Sequence, residues 1–84
     1  MTRAQEIAAG LAEVRERIAR AEQAAGRAAG SVRLIAVSKK MPPDDLRAAL
    51  AAGQVDLGES YGQELRDKRQ LLAAEAVPPR WHFI

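Results

Sequence analysis

Cysteine is absent from this 84-residue chain, which removes disulfides, thiolate nucleophiles and Cys-based zinc or iron–sulfur sites together. That absence fits a cytoplasmic address. Aromatic residues are scarce as well: one Trp, one Tyr and one Phe. Eighteen residues are Ala, each of which buries little area, so the core must come from a few Leu, Ile and Val positions. A chain of this size buries only about 60% of its surface on folding, and one so poor in large apolar groups is expected to be hard to stabilise alone. No apolar run approaches the roughly 18 residues of a membrane span. The N-terminal segment alternates Arg and Glu with Ala where a signal peptide needs an apolar stretch. A soluble protein with no membrane partner is expected. Neither sign of charge dominates: the formal net charge is +2, spread as +1 over residues 1–30, zero over 31–60 and +1 over 61–84. No basic arm therefore selects nucleic acid. There is no Gly-rich phosphate loop, and the single histidine, His82, lacks companions at metal-ligand spacing.

What the sequence does contain is periodic. Thr2 followed by Gln5 is a capping-box pattern. Ile7, Leu11, Val14, Ile18, Ala21 and Ala25 then recur at alternating steps of four and three, which predicts an amphipathic helix over 2–26. Glu13 with Arg17 and Glu16 with Arg20 decorate its wet face, and Gly26 follows its end. The stripe could also act as a coiled-coil seam, but alanine at its last two positions favours a helix laid over a sheet. After Ser31 the period changes. Val32, Leu34, Ile35, Ala36 and Val37 form a nearly continuous apolar run, interrupted by Arg33, that predicts a strand over 32–38 buried on both faces. Pro42 and Pro43 start a helix over 43–52, with Asp44 and Asp45 in its first turn, an inner face of Leu46, Ala49 and Leu50, and Gly53 to end it. A second strand is expected over 55–58 and a third helix over 61–76, with Leu65, Leu72 and Ala76 on one side. Val77-Pro78-Pro79 stops that helix, and Arg80 to Ile84 has the bulk and alternation of a third strand over 80–84.

The order α-β-α-β-α-β implies parallel strands joined by right-handed crossovers, hence an α/β fold. No repeat or linker divides residues 1–84. The sequence stops on the apolar third strand with no helix after it, so an N-terminal portion of a larger α/β protein is expected rather than an autonomous three-stranded domain.

In parallel sheets ligands sit at the carboxyl ends of strands. Two features fall there: Lys39 after the first strand and Gly58-Glu59-Ser60-Tyr61 after the second. A lysine directly following an apolar strand can be drawn into a poorly solvated site, where its charged form is disfavoured and the neutral amine attacks a carbonyl. Spacing alone favours the plainer reading, in which Lys39 and Lys40 are ordinary solvated loop cations.

Val32-Arg33-Leu34-Ile35-Ala36-Val37-Ser38-Lys39, Pro42, Ala48-Ala49-Leu50-Ala51-Ala52-Gly53-Gln54, Leu57-Gly58-Glu59, Tyr61, Gln63-Glu64-Leu65 and Trp81-His82-Phe83-Ile84 closely resemble the pyridoxal phosphate homeostasis protein family. The similarity begins in the first helix and runs to the last residue. It implies the N-terminal part, about three βα units, of a (β/α)8 TIM barrel of the alanine racemase N-terminal type. It also implies pyridoxal 5′-phosphate (PLP) as cofactor, held as a Schiff base on Lys39 by a protein that carries the cofactor without catalytic turnover. PLP-dependent apoenzymes are then the expected recipients. The chain departs from the family pattern at Lys40-Met41, where Thr-Lys is common, and at Ser60, where Asn is common. The phosphate-binding loops and the partner of the pyridine nitrogen are expected on later strands.

The other polar residues receive plainer readings. His82 is expected to be structural or hydrogen-bonded, Glu59 to orient a loop or cap the third helix, Asp56 to decorate a strand end, and Tyr61 either to line the mouth of the cofactor site or to pack on the barrel rim. A fragment of a PLP-dependent amino-acid racemase-like enzyme is the alternative, although no acid/base residue for it is visible. A helical interaction module built on Ile7 to Ala25 is a third class.

Overall fold

The computed structural model describes residues 1–84. Six elements follow in order: α1 (Arg3–Ala24), β1 (Ala36–Val37), α2 (Pro43–Ala51), β2 (Asp56–Glu59), α3 (Gly62–Leu71) and β3 (Arg80–Phe83). The strands form one parallel sheet in chain order, β1-β2-β3. No helix is long and apolar enough to cross a membrane.

α1 starts on the reciprocal cap its sequence encodes: Gln5 N–H donates to Thr2 Oγ1 at 3.1 Å, and Thr2 N–H donates to Gln5 Oε1 at 2.8 Å. Gly26, at φ +69°, turns the chain just beyond its end. The inward face differs from the expected stripe. Ile7, Leu11, Arg15, Ile18 and Glu22 are buried or half-buried, while Val14, Ala21 and Ala25 are exposed. The two charged residues take core positions because each finds partners there. Arg15 donates to the Ala52 carbonyl and to Gln54 Oε1, both at 2.9 Å, and Glu22 accepts from the Val32 and Gly30 amides at 2.8 and 3.2 Å. α1 packs chiefly on α2 and not across the sheet. Arg3 meets Asp45 near the start of α2 and Arg15 reaches its end, so the two helices run alongside in the same direction.

The strand expected over 32–38 shrinks to Ala36–Val37. β1 can pair only as far as β2 reaches, and the ladder joins Ala36 to Leu57 and Val37 to Gly58. Upstream, side chains replace strand pairing: Gln54 Nε2 donates to the Leu34 carbonyl at 2.8 Å and to the Asp56 carbonyl at 2.9 Å. α3 is also shorter than expected, ending at Leu71. Leu72 is driven fully into the core, and the chain then turns towards Pro78-Pro79, which disfavours helix in the residue before it.

Register assigns the faces. Ala36, Leu57 and Trp81 are paired neighbours and point to the same side, where Leu46 of α2 and Leu72 at the end of α3 close over Leu57. Both crossover helices therefore cover one face. Val37, Gly58 and His82 point to the other, and there Val37 stays 54% exposed and Ile84 52%. The first strand is thus buried on one face and not on both, because none of the six elements packs against the second. Gly58 belongs to that open face: a β-carbon there would lie 3.2 Å from Ile35 and 3.3 Å from Ile84.

Candidate functional site

At the carboxyl end of β1 the chain passes from a buried residue, Ser38, to two exposed lysines. A turn forms as Met41 N–H donates to the Ser38 carbonyl at 3.1 Å. Lys40 occupies the left-handed region at φ +61°, unfavourable for a residue with a β-carbon. Its amide donates to Glu64 Oε2 at 2.6 Å, and its ammonium lies 5.5 Å from the centre of the Tyr61 ring. Lys39 differs from its neighbour. It is exposed, and its amine engages neither an acceptor nor an aromatic ring of the chain. The solvent-poor surroundings expected for Lys39 are not formed by these residues.

The desolvated charges lie beneath, on the helix-covered face. Glu59 at the end of β2 is completely buried, and Lys68 of α3 is 4% exposed. The Lys68 ammonium has three N–H groups and meets three acceptor groups: the Ser38 carbonyl at 2.6 Å, Glu64 Oε2 at 2.9 Å and the Glu59 carboxylate, with Oε2 at 3.1 Å and Oε1 at 3.3 Å. The Ser38 hydroxyl closes the cluster onto Glu59, with the Gly58 carbonyl 3.2 Å away. No buried side-chain polar atom is left without a partner. The Lys68 hydrogen bond, with help from the Lys40 amide, holds the Glu64 carboxyl below its ordinary range.

The open face carries a second polar group. His82 Nε2 sits 2.9 Å from Asp56 Oδ1, with Arg80 at 3.6 Å. The hydrogen bond from His82 depresses the Asp56 carboxyl, reinforced by the charges of Arg80 and Arg33. His82 is accordingly hydrogen-bonded, and Asp56 is more than strand-end decoration. Glu59 neither caps α3 nor merely orients a loop, because it is the buried counter-charge of Lys68. Tyr61 precedes α3 and is partly exposed beside Lys40.

The sequence reading gave no role to Lys68, Glu64, Gln54, Arg15 and Glu22, although Gln54 and Glu64 lie in the segments that carry the family resemblance. A signal existed for three of them. Lys68 falls between Leu65 and Leu72 on the apolar side of α3, and Arg15 and Glu22 each fall four residues after an apolar member of the α1 stripe. A charged residue at a core position is a structural contact waiting for its partner.

Lys39 is thus an exposed primary amine with no partner within the chain. The side-chain acceptors nearest that turn, Glu59 and Glu64, are acidic and do not suit a phosphate. The fold and the site together define an α/β protein with a parallel sheet and a free lysine at the carboxyl end of its first strand. Comparison with known proteins narrows this. The chain is 49% identical over 78 residues to the pyridoxal phosphate homeostasis protein of Pseudomonas aeruginosa, covering 93% of this chain and 33% of that protein. It is 43% identical over 74 residues to the protein of the same name from Pasteurella multocida, covering 88% and 32%, and 40% identical over 80 residues to that of Escherichia coli K12, covering 94% and 34%. A crystal structure of an unknown protein from Bifidobacterium adolescentis superposes with a TM-score of 0.81 at 36% identity, covering 98% of this chain and 37% of that one. No protein-family model matches. By sequence the chain is similar to pyridoxal phosphate homeostasis proteins, and it spans about a third of the length of the curated relatives it matches.

Proposed function

We propose that this chain supplies the cofactor-attaching part of a cytoplasmic PLP carrier, with PLP held as a Schiff base on the Lys39 amine and handed on to PLP-dependent apoenzymes without catalytic turnover. The observation that carries the proposal is the contrast among the three lysines of the chain: Lys68 is buried in a saturated ion cluster, Lys40 lies over Tyr61, and Lys39 alone is unpaired and accessible at a strand's carboxyl end. The names of the relatives support a role in PLP homeostasis. Sequential strand order with both crossover helices on one face is the winding of a (β/α)8 barrel rather than of a doubly wound sheet, and supports the barrel reading. The Ile35, Val37 and Ile84 face would then line the barrel interior, and the phosphate would be held by parts of the longer protein.

When bound, the cofactor supplies an aldehyde carbon and an electron-withdrawing ring. The chain's contribution is a primary amine at a fixed backbone position. The test is reduction with borohydride after incubation with PLP, followed by peptide mapping, on this chain and on a form extended to the relatives' full length. The expected result is specific label at Lys39 in the extended form, weak label in the 84-residue chain, and no turnover of amino acids. Lys39→Ala should abolish the specific label. Survival of the label in that variant, or turnover of an amino acid, would reject the carrier assignment.

A further inference from the structure

The cluster of buried Glu59 and Lys68 with half-buried Glu64 does more than fill space, because it grips the backbone on both sides of one residue. The peptide between Ser38 and Lys39 presents its carbonyl to Lys68 Nζ at 2.6 Å, and the peptide between Lys39 and Lys40 presents its N–H to Glu64 Oε2 at 2.6 Å. Those two peptide planes set φ and ψ of Lys39. Lys68 and Glu64 stand one turn apart on α3 and are bonded to each other at 2.9 Å, so the two grips form one unit. Glu59 and the Ser38 hydroxyl anchor that unit to β2. The left-handed φ of Lys40 is held in place by the same Glu64 contact.

We propose that Glu64 and Lys68 are positioning residues that aim Lys39: α3 clamps the two peptide groups flanking it, so that its amine leaves the strand end in one direction. The proposal rests on the assignment of Lys39 as the attachment point and adds a specific job for a salt bridge that touches no ligand. A loosened backbone would let the amine sample other directions, and a displacement on the order of 1 Å at a reacting atom is enough to cost large factors in rate.

The experiment uses the extended protein with PLP as probe and three readouts: the rate of specific attachment at Lys39, the ratio of borohydride-trapped label at Lys39 to that at Lys40, and hydrogen exchange of the Lys40 amide. Glu64→Ala removes the acceptor of the Lys40 N–H at a partly exposed site. Attachment is expected to slow by about tenfold, the label ratio to fall towards equality, and the Lys40 amide to lose protection while amides of β2 keep theirs. Glu64→Gln retains an acceptor oxygen and should restore attachment to within about threefold of the parent. If Glu64→Ala does not fold, Glu64→Asp keeps the charge but is one carbon too short to reach, and carries the same expectations. Attachment and label ratio unchanged in a folded Glu64→Ala or Glu64→Asp variant would overturn the clamp, as would losses that Glu64→Gln fails to recover. Lys39→Ala separates the two levels: if it keeps specific label, the attachment assignment falls; if it loses label while Glu64→Ala behaves as parent, only the clamp falls.

Discussion

The two faces of the sheet were built by different rules. On the helix side, Leu46, Leu57 and Leu72 pack to near-complete burial, and the charges admitted there, Glu59 and Lys68, have every donor satisfied. On the other side, Val37 and Ile84 remain about half exposed, a glycine sits where a β-carbon would crowd Ile35 and Ile84, and the pair His82–Asp56 stays near solvent. The difference shows which side of the sheet holds the backbone rigid and which is left uncovered. The covered face immobilises Ser38 and the backbone beyond it, and the next residue, Lys39, enters the turn that follows β1 with its side chain exposed.

Substitutions on the two faces should therefore differ in kind. The largest effect is expected for Lys68→Met, which leaves the Glu59 carboxylate buried without its counter-ion. Loss of one partner of a buried pair costs about 3–5 kcal/mol, enough to unfold a domain this small, and the pairing of Lys68→Met with Glu59→Gln should recover much of it in chemical denaturation. Next comes a matched pair of truncations. Leu57→Ala, at a site 1% exposed, should cost about 2–5 kcal/mol, and Val37→Ala on the open face under about 1 kcal/mol. Equal losses in the two would contradict the assignment of faces.

The smallest effect is electrostatic. Glu22, held by the Val32 and Gly30 amides, Asp56, held by His82, and Glu64, held by Lys68, are all depressed below the ordinary carboxylate range. A depressed carboxyl stabilises the fold above its unfolded value of about 4 and loses that contribution as pH falls through the folded value. The melting temperature should be flat above about pH 5 and decline in acid. Glu22→Gln should melt below the parent at neutral pH, and the gap should close towards pH 3; a gap that widens in acid would refute the sign.

Much of this architecture is legible in the sequence, and what is not has a common cause. The α1 cap, Pro43 opening α2, Gly53 ending it and the strand of Arg80–Phe83 are local signals, and the structure carries each of them. Val32 to Ile35 read as strand because apolar bulk and β-branching favour one, yet no neighbouring strand reaches them and Gln54 and Glu22 take their backbone groups instead. Lys68, Glu64 and Arg15 were given no role by the sequence, because a charged side chain carries no local sign of the partner that buries it. Their partners, Ser38, Lys40 and Ala52, lie 24 to 37 residues away in sequence, beyond the reach of any periodicity. Lys39 was singled out by its position after the strand and by resemblance, and the turn that holds it was invisible until α3 was in place.

The central claim, as proposed above, is that the exposed Lys39 amine in the turn after β1 takes the aldehyde cofactor. Borohydride trapping and peptide mapping of the extended protein, with Lys39, Lys40 and Lys68 scored separately, tests it most directly. The account predicts label concentrated on Lys39, with little on Lys40 and none on Lys68. Label shared evenly between the two exposed lysines, or found mainly on Lys40, would contradict it.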